Sequence, residues 1–459
     1  MRLRKTDLRR RVNGPVTLCC SEGGLTSYAG LELFREYLSN RSMRRWMRSH
    51  LERCLPASDF APFQMILLLL ALIVGGGRRV RHVQYMQEDP VVKRCTGLEK
   101  IPSARTVSRW LTHAVPESVE GIVAVNAAFV ASQIERAGIR RLTLDVDGSV
   151  VSTGRKVEGA QRGYDPHQRK KPSYYPITAY EAQTGQIVGL QNRSGNVHDG
   201  KASVEFLDDL ITGLRSRLGS SLKLEMRMDG AFFREDVLDL LDAHRVEYVI
   251  RTPFWPWLGV KDLVARRRRW YSLDEKTSYF ETVLKAAPWD RKVRVIILRK
   301  HVNHRSPKNY QLDLFDPSDG HYEYSAIATN KRLKAKSLRA FMDGRGVHEK
   351  VYGELKSGFA FDSVPSLSFE ANSAWQALSV LAFNLTRGFQ AATTAAKRNT
   401  NTKRRTRQLF KTIHTLRFEF FHRAGVIKHP AGRATLDVGT APTVMDAFRS
   451  ALSRLRKAA

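Results

Sequence analysis

Hydrophobic periodicity changes abruptly at Gly138, and this change limits the possible folds more than any other property of the sequence. Before Gly138, from about Glu117, apolar residues recur at helical spacing, whereas after it apolar and polar residues alternate. Such alternation is typical of a strand with one buried face. The predicted strand carries its carboxylates on one side, because its apolar positions alternate with Thr143, Asp145 and Asp147.

Beyond this strand, strand-like and helix-like segments follow one another. A hairpin is predicted first, because two strand-like segments meet at the turn around Gly185. The predicted segments are strands 174–181 and 186–192, helix 201–218, strand 222–228, helix 234–243 and strand 247–251. Helices between the later strands imply parallel crossovers. The order β, β, β, α, β, α, β is that of a ribonuclease-H-like fold, an α/β architecture with a mixed sheet flanked by helices.

The chain of 459 residues is longer than one hydrophobic core usually supports, so several regions are expected. They are a helical N-terminal DNA-binding region (1–137), the first part of the ribonuclease-H-like core (138–251), a β-rich insertion subdomain (252–340), the closing helices of the core (341–395) and a basic linker with a C-terminal tail (396–459). The insertion is predicted to be β-rich because it contains three strand-like segments, at 278–285, 291–299 and 322–329.

The charge of the chain indicates a polyanionic partner. Lys and Arg number 76 against 45 Asp and Glu, which leaves a formal net charge of +31. Nucleic acid is the leading partner, although ribosomal and membrane-surface proteins are also basic. The longest apolar run, Met65 to Val74, is too short to span a membrane. The basic start has no apolar segment after it, and no CxxC pair occurs. We therefore expect a soluble cytoplasmic protein, associated with the nucleoid and not with a membrane.

One short segment of the N-terminal region has the pattern of the second helix of a helix-turn-helix. Ser103 is a candidate N-cap, and the apolar residues that follow share one face. The outward positions are Arg105, Thr106, Ser108 and Arg109, which are candidate DNA contacts. The alternative is a packing helix with a solvated basic face.

Three acidic residues occur where a ribonuclease-H-like sheet would bring them together. Asp147 ends the first strand, Asp229 ends the fourth, and Glu349 lies on the helix after the insertion. Carboxylates on rigid elements are the ligands that Mg²⁺ and Mn²⁺ prefer, and two such ions can catalyse phosphodiester cleavage. A single Asp before Gly is more often a turn former. Three acidic residues in the required order favour a metal site.

The chain resembles the DDE transposases of bacterial insertion sequences, in the branch with the signature Tyr-x2-Arg-x3-Glu-x6-Lys. Arg345, Glu349 and Lys356 match the signature, and their spacing puts them on one helical face. The similarity extends from residue 25 to about 390 and includes the sequences DPVVKRCTG, RSGNVHDG and AFNLTRGF. Met342 stands where the signature has Tyr, which puts a hairpin intermediate in doubt.

The resemblance implies an enzyme that binds terminal inverted repeats of double-stranded DNA as a homodimer and performs cut-and-paste transposition. The implied catalytic residues are Asp147, Asp229 and Glu349, which would hold two Mg²⁺ or Mn²⁺ ions, with Arg345 and Lys356 beside them. Asp145 is the competing carboxylate for Asp147, Glu354 is assigned a structural role, and His198 a positioning or packing role. The alternatives are a transposase-derived DNA-binding regulator and a host ribonuclease-H-like nuclease.

The insertion adds candidate DNA contacts. Arg266 and Arg267 belong to a run of four arginines that could bind the DNA backbone or simply be solvated. Four of the seven tryptophans also lie here, and Trp289 is the candidate for stacking on an unpaired base, while core packing is the alternative for each of Trp255, Trp257, Trp270 and Trp289.

Overall fold

The computed structural model describes residues 23–39, 43–52, 54–56, 58–154, 156–163, 171–197, 200, 202–285, 288–302, 319–394, 408–439 and 441–458. The predicted positioning residue His198, the basic arm at the N-terminus and residues 397–407 of the predicted linker lie outside this set.

The N-terminal region is helical, as its periodicity predicts. After the short strand β1 (Leu25–Thr26) come α1 (Leu31–Ser39), α2 (Met43–Leu51), α3 (Pro62–Val74), α4 (Pro90–Thr96), α5 (Ala104–Thr112) and α6 (Pro116–Arg136). The apolar run forms α3, which is buried from Met65 to Val74 except at Leu67. Ser103 caps α5 by accepting a hydrogen bond from the Thr106 amide. No single helix in the described residues could cross a membrane by length and hydropathy; only α5 and α6 together pass that test, and they meet at a 100° bend.

A mixed sheet of nine strands dominates the rest of the described chain. Its strands are β2 (Arg141–Gly148), β5 (Ile177–Glu181), β6 (Gln186–Gln191), β7 (Lys223–Met228), β8 (Glu247–Arg251), β9 (Tyr271–Ser272), β10 (Thr277–Lys285), β11 (Lys292–His301) and β12 (Tyr322–Thr329). Two further short strands, β3 (Val151–Ser152) and β4 (Ser173–Tyr174), pair with each other beside it. The strand order is β6-β5-β2-β7-β8-β12-β11-β10-β9.

The first five strands of this order form the predicted core. β5 runs antiparallel to β2 and to β6, whereas β7 is parallel to both β2 and β8. Helix α7 (Val204–Leu218) connects β6 to β7, and α8 (Glu235–Ala243) connects β7 to β8. The element order and the mixed strand directions expected of a ribonuclease-H-like core are therefore observed.

The predicted β-rich insertion has the predicted strands, and these strands extend the sheet of the core. β12 pairs antiparallel with β8, so the insertion continues the core sheet instead of forming a sheet of its own. The register joins Ile327 to Arg251 and Thr329 to Val249. A core strand whose outer edge was free would expose unpaired backbone groups, and pairing with β12 satisfies them. Helix α9 (Val260–Arg266) lies between β8 and β9.

Three helices close the core: α10 (Ala335–Asp343), α11 (Gly346–Phe359) and α12 (Phe369–Thr393). α12 is buried along most of its length and packs against α3 and α6 of the N-terminal region. Asn384 on α12 accepts a hydrogen bond from the Ile187 amide at 2.9 Å and donates to Asn126 of α6 at 2.7 Å. The N-terminal helices and the catalytic core consequently share one hydrophobic core.

The C-terminal tail, whose residue pattern predicted no secondary structure, folds back onto the N-terminal region. It contains α13 (Ile413–Leu416), β13 (Gly425–Lys428), β14 (Thr435–Val438) and α14 (Pro442–Ala458). β13 pairs with β1, and α14 packs on α12 and α1. Arg417 donates to the backbone carbonyls of Ile73, Val74 and Gly358, so the tail is tied to two other regions.

Candidate active site

The first two predicted catalytic carboxylates lie side by side at one edge of the sheet. β2 and β7 are parallel neighbours, and Asp145 is opposite Arg227 in their register. Asp147 and Asp229 each come two residues further on, at the carboxyl ends of the two strands. The Asp147 carboxylate accepts a hydrogen bond from the Gly148 amide, and Asp229 accepts one from the Ala231 amide, both at 3.0 Å.

Arg345 lies between these two carboxylates. Its Nη2 is 2.7 Å from Oδ2 of Asp147 and 3.8 Å from Oδ2 of Asp229. Burial opposes the charged guanidinium, but the carboxylates of Asp147, Asp229, Asp145 and Glu349 outweigh it, so the pKa of Arg345 is raised. Its Nε is buried and has no hydrogen-bond partner among the described residues. The site is thus acidic enough to hold a cation, and one guanidinium nitrogen already contacts both carboxylates.

Glu349 stands apart from this pair. It lies in the first turn of α11, where the positive end of the helix dipole favours a carboxylate, and it is exposed. It makes no ion pair with a described residue, although its charge adds to the field at Arg345. Among the described residues, no group of three or more His, Cys, Asp or Glu side chains is close enough to hold a metal ion. The structure therefore brings two of the three predicted ligands together and leaves Glu349 outside.

Lys356, the last signature residue, reaches the loop that follows Asp147. Its Nζ donates to the Val150 carbonyl at 2.8 Å. Arg345 itself precedes α11 with helical backbone angles, so the signature begins one residue before the helix. Met342 is half-buried at the Tyr position and lines, with Arg345, a cavity of about 310 Å³ between α10 and the face of β11 and β12.

Asp145 is fully buried and forms an ion pair with Arg227. The guanidinium forms a forked contact, from Nε to Oδ1 at 2.5 Å and from Nη2 to Oδ2 at 2.7 Å. Burial raises the pKa of Asp145, and the Arg227 charge opposes that rise. Arg227 also donates to the Phe341 carbonyl at 2.9 Å, which ties the end of α10 to the sheet. A Cβ at Gly344 would lie 2.1 Å from Arg227 Nη1, so this approach requires glycine.

A buried polar network under the site was missed by the sequence reasoning. Tyr352 donates to the Asp147 carbonyl at 2.8 Å and accepts from the Thr178 hydroxyl at 2.8 Å. The His348 ring is 2.9 Å from the same hydroxyl and stacks on Tyr352. Burial, with help from Arg345 and Arg227, lowers the pKa of His348 to about 3, so the ring is neutral. The spacing of four between His348 and Tyr352 was the available signal, because it places both on one helical face.

The predicted DNA contacts on α5 are accessible. Arg105 and Arg109 are exposed, and Thr106 and Ser108 are half-exposed. Arg105 and Ser108 line a groove of about 730 Å³, whose other walls come from residues 78–81 and 362–365. We call this the basic groove, because Arg78, Arg79 and Arg81 also line it. Arg78 donates to the carbonyls of Lys356 and Ser357, so the groove borders the end of the catalytic helix.

The insertion residues differ in exposure. Arg266 is exposed at the end of α9, but Arg267 lies over the Phe280 ring at 4.7 Å and donates to the Arg269 carbonyl. Trp289 is half-buried between Phe233 and Trp257, with ring centroids 5.1 and 5.4 Å away. Trp257 is the exposed member of this cluster, at 43%, and stacks on Trp255. Phe233 follows Asp229 by four residues in the chain.

The described chain thus has a mixed sheet in which two aspartates meet at the ends of adjacent parallel strands. The chain matches the family described as Transposase DDE domain group 1 over residues 10–459, and it belongs to that family. It is a DNA transposase. Among solved structures it is similar to piggyBac transposase in a synaptic complex with hairpin DNA, with 10% identity, a TM-score of 0.43, and coverage of 95% of this chain and 84% of that chain. No curated protein matches the sequence.

Proposed function

We propose that this transposase binds the terminal inverted repeats of a bacterial insertion sequence, cleaves the DNA strands at the ends of the element and joins the 3′-hydroxyls to target DNA. The convergence of Asp147 and Asp229 on one cation carries the proposal. Arg345, Glu349 and Lys356 support the insertion-sequence branch, because they match its signature. The same resemblance supports a homodimer on DNA and a location at the nucleoid in the cytoplasm.

Two of the three carboxylates that we assign to divalent metal lie together at the edge of the sheet. Asp147 and Asp229 come from rigid strand ends and share one positively charged neighbour, and hard divalent ions prefer such carboxylate oxygens. Glu349 would supply the third carboxylate from α11, where its exposed side chain makes no competing ion pair with a described residue. Two bound Mg²⁺ or Mn²⁺ ions would activate the attacking oxygen and stabilise the leaving oxygen.

The two cations of the signature would contact the phosphates beside the scissile bond. Lys356 is held over the loop after β2 by the Val150 carbonyl, close to the strand that ends in Asp147. Arg345 can make a forked contact with a phosphate, whereas Lys356 acts as a point charge. Tyr352 fixes the backbone of Asp147 through its carbonyl, which keeps the carboxylate in place during the reaction.

The basic groove is the proposed path of the DNA outside the active site. Arg79, Arg81 and Arg105 are exposed, and none of them forms an ion pair within the described part of the chain. Cations without partners are available to phosphates, and each phosphate contact releases counterions. The groove meets α11 at Arg78, so DNA lying in it would run toward the catalytic helix.

A comparison of cleavage with binding tests the proposal. Asp147→Asn, Asp229→Asn and Glu349→Gln should each abolish Mg²⁺-dependent cleavage of a labelled duplex that carries the end of the element, while gel-shift affinity stays near that of the unmodified protein. Glu205→Gln is the matched control, because Glu205 is an exposed carboxylate on α7 outside the site. Cleavage retained in any of the three variants would remove that residue from the active site.

A further inference from the structure

We propose that Arg345 is an internal counter-ion, which fills the space between Asp147 and Asp229 in the free protein. Divalent metal replaces it in that space only when DNA is bound. The inference rests on the proposed function, since it takes Asp147 and Asp229 as metal ligands. It assigns Arg345 a role before catalysis, in addition to the phosphate contact implied by the signature.

The charges at the site define a competition. Asp145 is already neutralised by its forked contact with Arg227, so two carboxylates remain for the reaction. The Arg345 side chain is only 14% exposed and contacts Oδ2 of Asp147 at 2.7 Å. A divalent ion on that oxygen would face a guanidinium that does not lose its proton. Metal binding therefore requires the contact between Arg345 and Asp147 to break.

The surroundings of Arg345 determine when it can leave. The cavity beside it is lined by three further cationic side chains, Arg251, Lys300 and Arg339, and by two carboxylates, Glu323 and Asp343. With Arg345 the cations outnumber the carboxylates, so this space attracts an anion. A DNA phosphate supplies that anion. The buried Nε of Arg345, which has no partner among the described residues, is a donor that the free protein leaves unused and that a phosphate could satisfy.

The cavity gives Arg345 room for such a movement. Arg345 itself lines it, so its side chain borders open space into which it can turn when its contact with Asp147 breaks. Metal and DNA are then positively coupled through one side chain, and thermodynamic linkage makes the coupling equal in both directions.

The measurement is Mn²⁺ affinity of the full chain, read from the electron paramagnetic resonance of free Mn²⁺. Without DNA, Arg345→Gln should bind Mn²⁺ about tenfold more tightly than the unmodified protein, because one repelling charge is gone. Arg136→Gln is the matched control: this exposed arginine ends α6 near the start of β2, away from the cavity, so its Mn²⁺ affinity should not change. Equal or weaker Mn²⁺ binding by Arg345→Gln would overturn the proposal.

A second measurement needs no variant. A pre-cleaved element end, terminated by a 3′-dideoxynucleotide so that it cannot react, should tighten Mn²⁺ binding to the unmodified protein about tenfold, and Mn²⁺ should tighten binding of that DNA by the same factor. In Arg345→Gln this factor should approach one. Independent binding in the unmodified protein would refute the coupling. Asp147→Asn distinguishes failure of the coupling from failure of the proposed function. If this variant binds Mn²⁺ in the presence of that DNA as the unmodified protein does, the metal site of the proposed function is wrong.

Discussion

At the scale of single residues, two carboxylates on β2 show how neighbours decide a role. Asp145 and Asp147 project from the same face of the strand, two positions apart. Asp145 meets Arg227 and is fully buried, whereas Asp147 is at the strand end, where Arg345 and Asp229 are its neighbours. The sequence resemblance favoured Asp147 as the catalytic carboxylate. The adjacent strand agrees with this choice, because Asp145 is paired with Arg227.

Asp145→Asn should destabilise the protein without being a direct test of catalysis. It removes one partner of a buried ion pair and leaves the Arg227 charge uncompensated, a change that costs about 3–5 kcal/mol. Asp147→Asn should cost much less, because Asp229 still faces Arg345. Urea unfolding of both variants measures the difference. A fully stable Asp145→Asn protein would show that the pair does not hold the sheet and α10 together.

At the scale of elements, local patterns predicted nearly all of the core. Alternation and helical spacing depend on neighbouring residues, so strands such as 247–251 and 322–329 are found at their predicted positions. The pairing of β12 with β8 could not be read in the same way, because strand register joins residues far apart in sequence. The contact of Arg345 with Asp147 is also non-local, and a signature shows only that Arg345 and Glu349 are near one another.

The basic groove should determine how tightly the protein binds DNA and not which DNA sequence it prefers. Arg79→Gln combined with Arg81→Gln should weaken binding to all duplexes by a similar factor. It should also reduce the slope of log affinity against log salt concentration by about one to two. Arg136→Gln is the control, since this exposed arginine ends α6 close to the start of β2, opposite to Asp147. Fluorescence anisotropy over a range of salt concentrations gives the slope. An unchanged slope would show that DNA does not lie in the groove.

The aromatic cluster allows a distinction between a DNA contact and a packing residue. Trp257→Ala should weaken binding to DNA with an unpaired base near the cleavage site by about 1–3 kcal/mol. Its melting temperature should fall less than that of Trp289→Ala, because Trp257 is the exposed member of the cluster. Trp289→Ala should lower the melting temperature, because its ring is packed between Phe233 and Trp257. The opposite pattern would restore Trp289 as the stacking residue that the sequence suggested.

At the scale of the whole molecule, the five regions predicted from the sequence pack against one another. α12 of the core packs against α3 and α6, and the tail completes the N-terminal region through β13 and Arg417. Composition indicated where the chain changes character, but it contained no signal for contacts between its two ends. Deletion of residues 1–137 would therefore expose the buried face of α12 instead of leaving a folded core.

Arg417→Ala should destabilise the entire protein. The substitution leaves the carbonyls of Val74 and Gly358 without their donor, whereas the Ile73 carbonyl keeps the Gly76 amide. Each unsatisfied buried carbonyl costs about 1–3 kcal/mol. Arg423→Ala is the control, because that side chain bonds to a carbonyl of its own segment. Thermal unfolding followed by circular dichroism should show one transition at a lower temperature. Two separate transitions would indicate that the N-terminal region and the core unfold independently.

The pairing of β1 with β13 has a consequence for protein synthesis. Leu25 and Thr26 are synthesised several hundred residues before their partners Gly425 and Val426. α14, which packs on α1 and α12, is made later still. The N-terminal helices of a nascent chain therefore keep part of their surface uncovered until α14 has emerged from the ribosome.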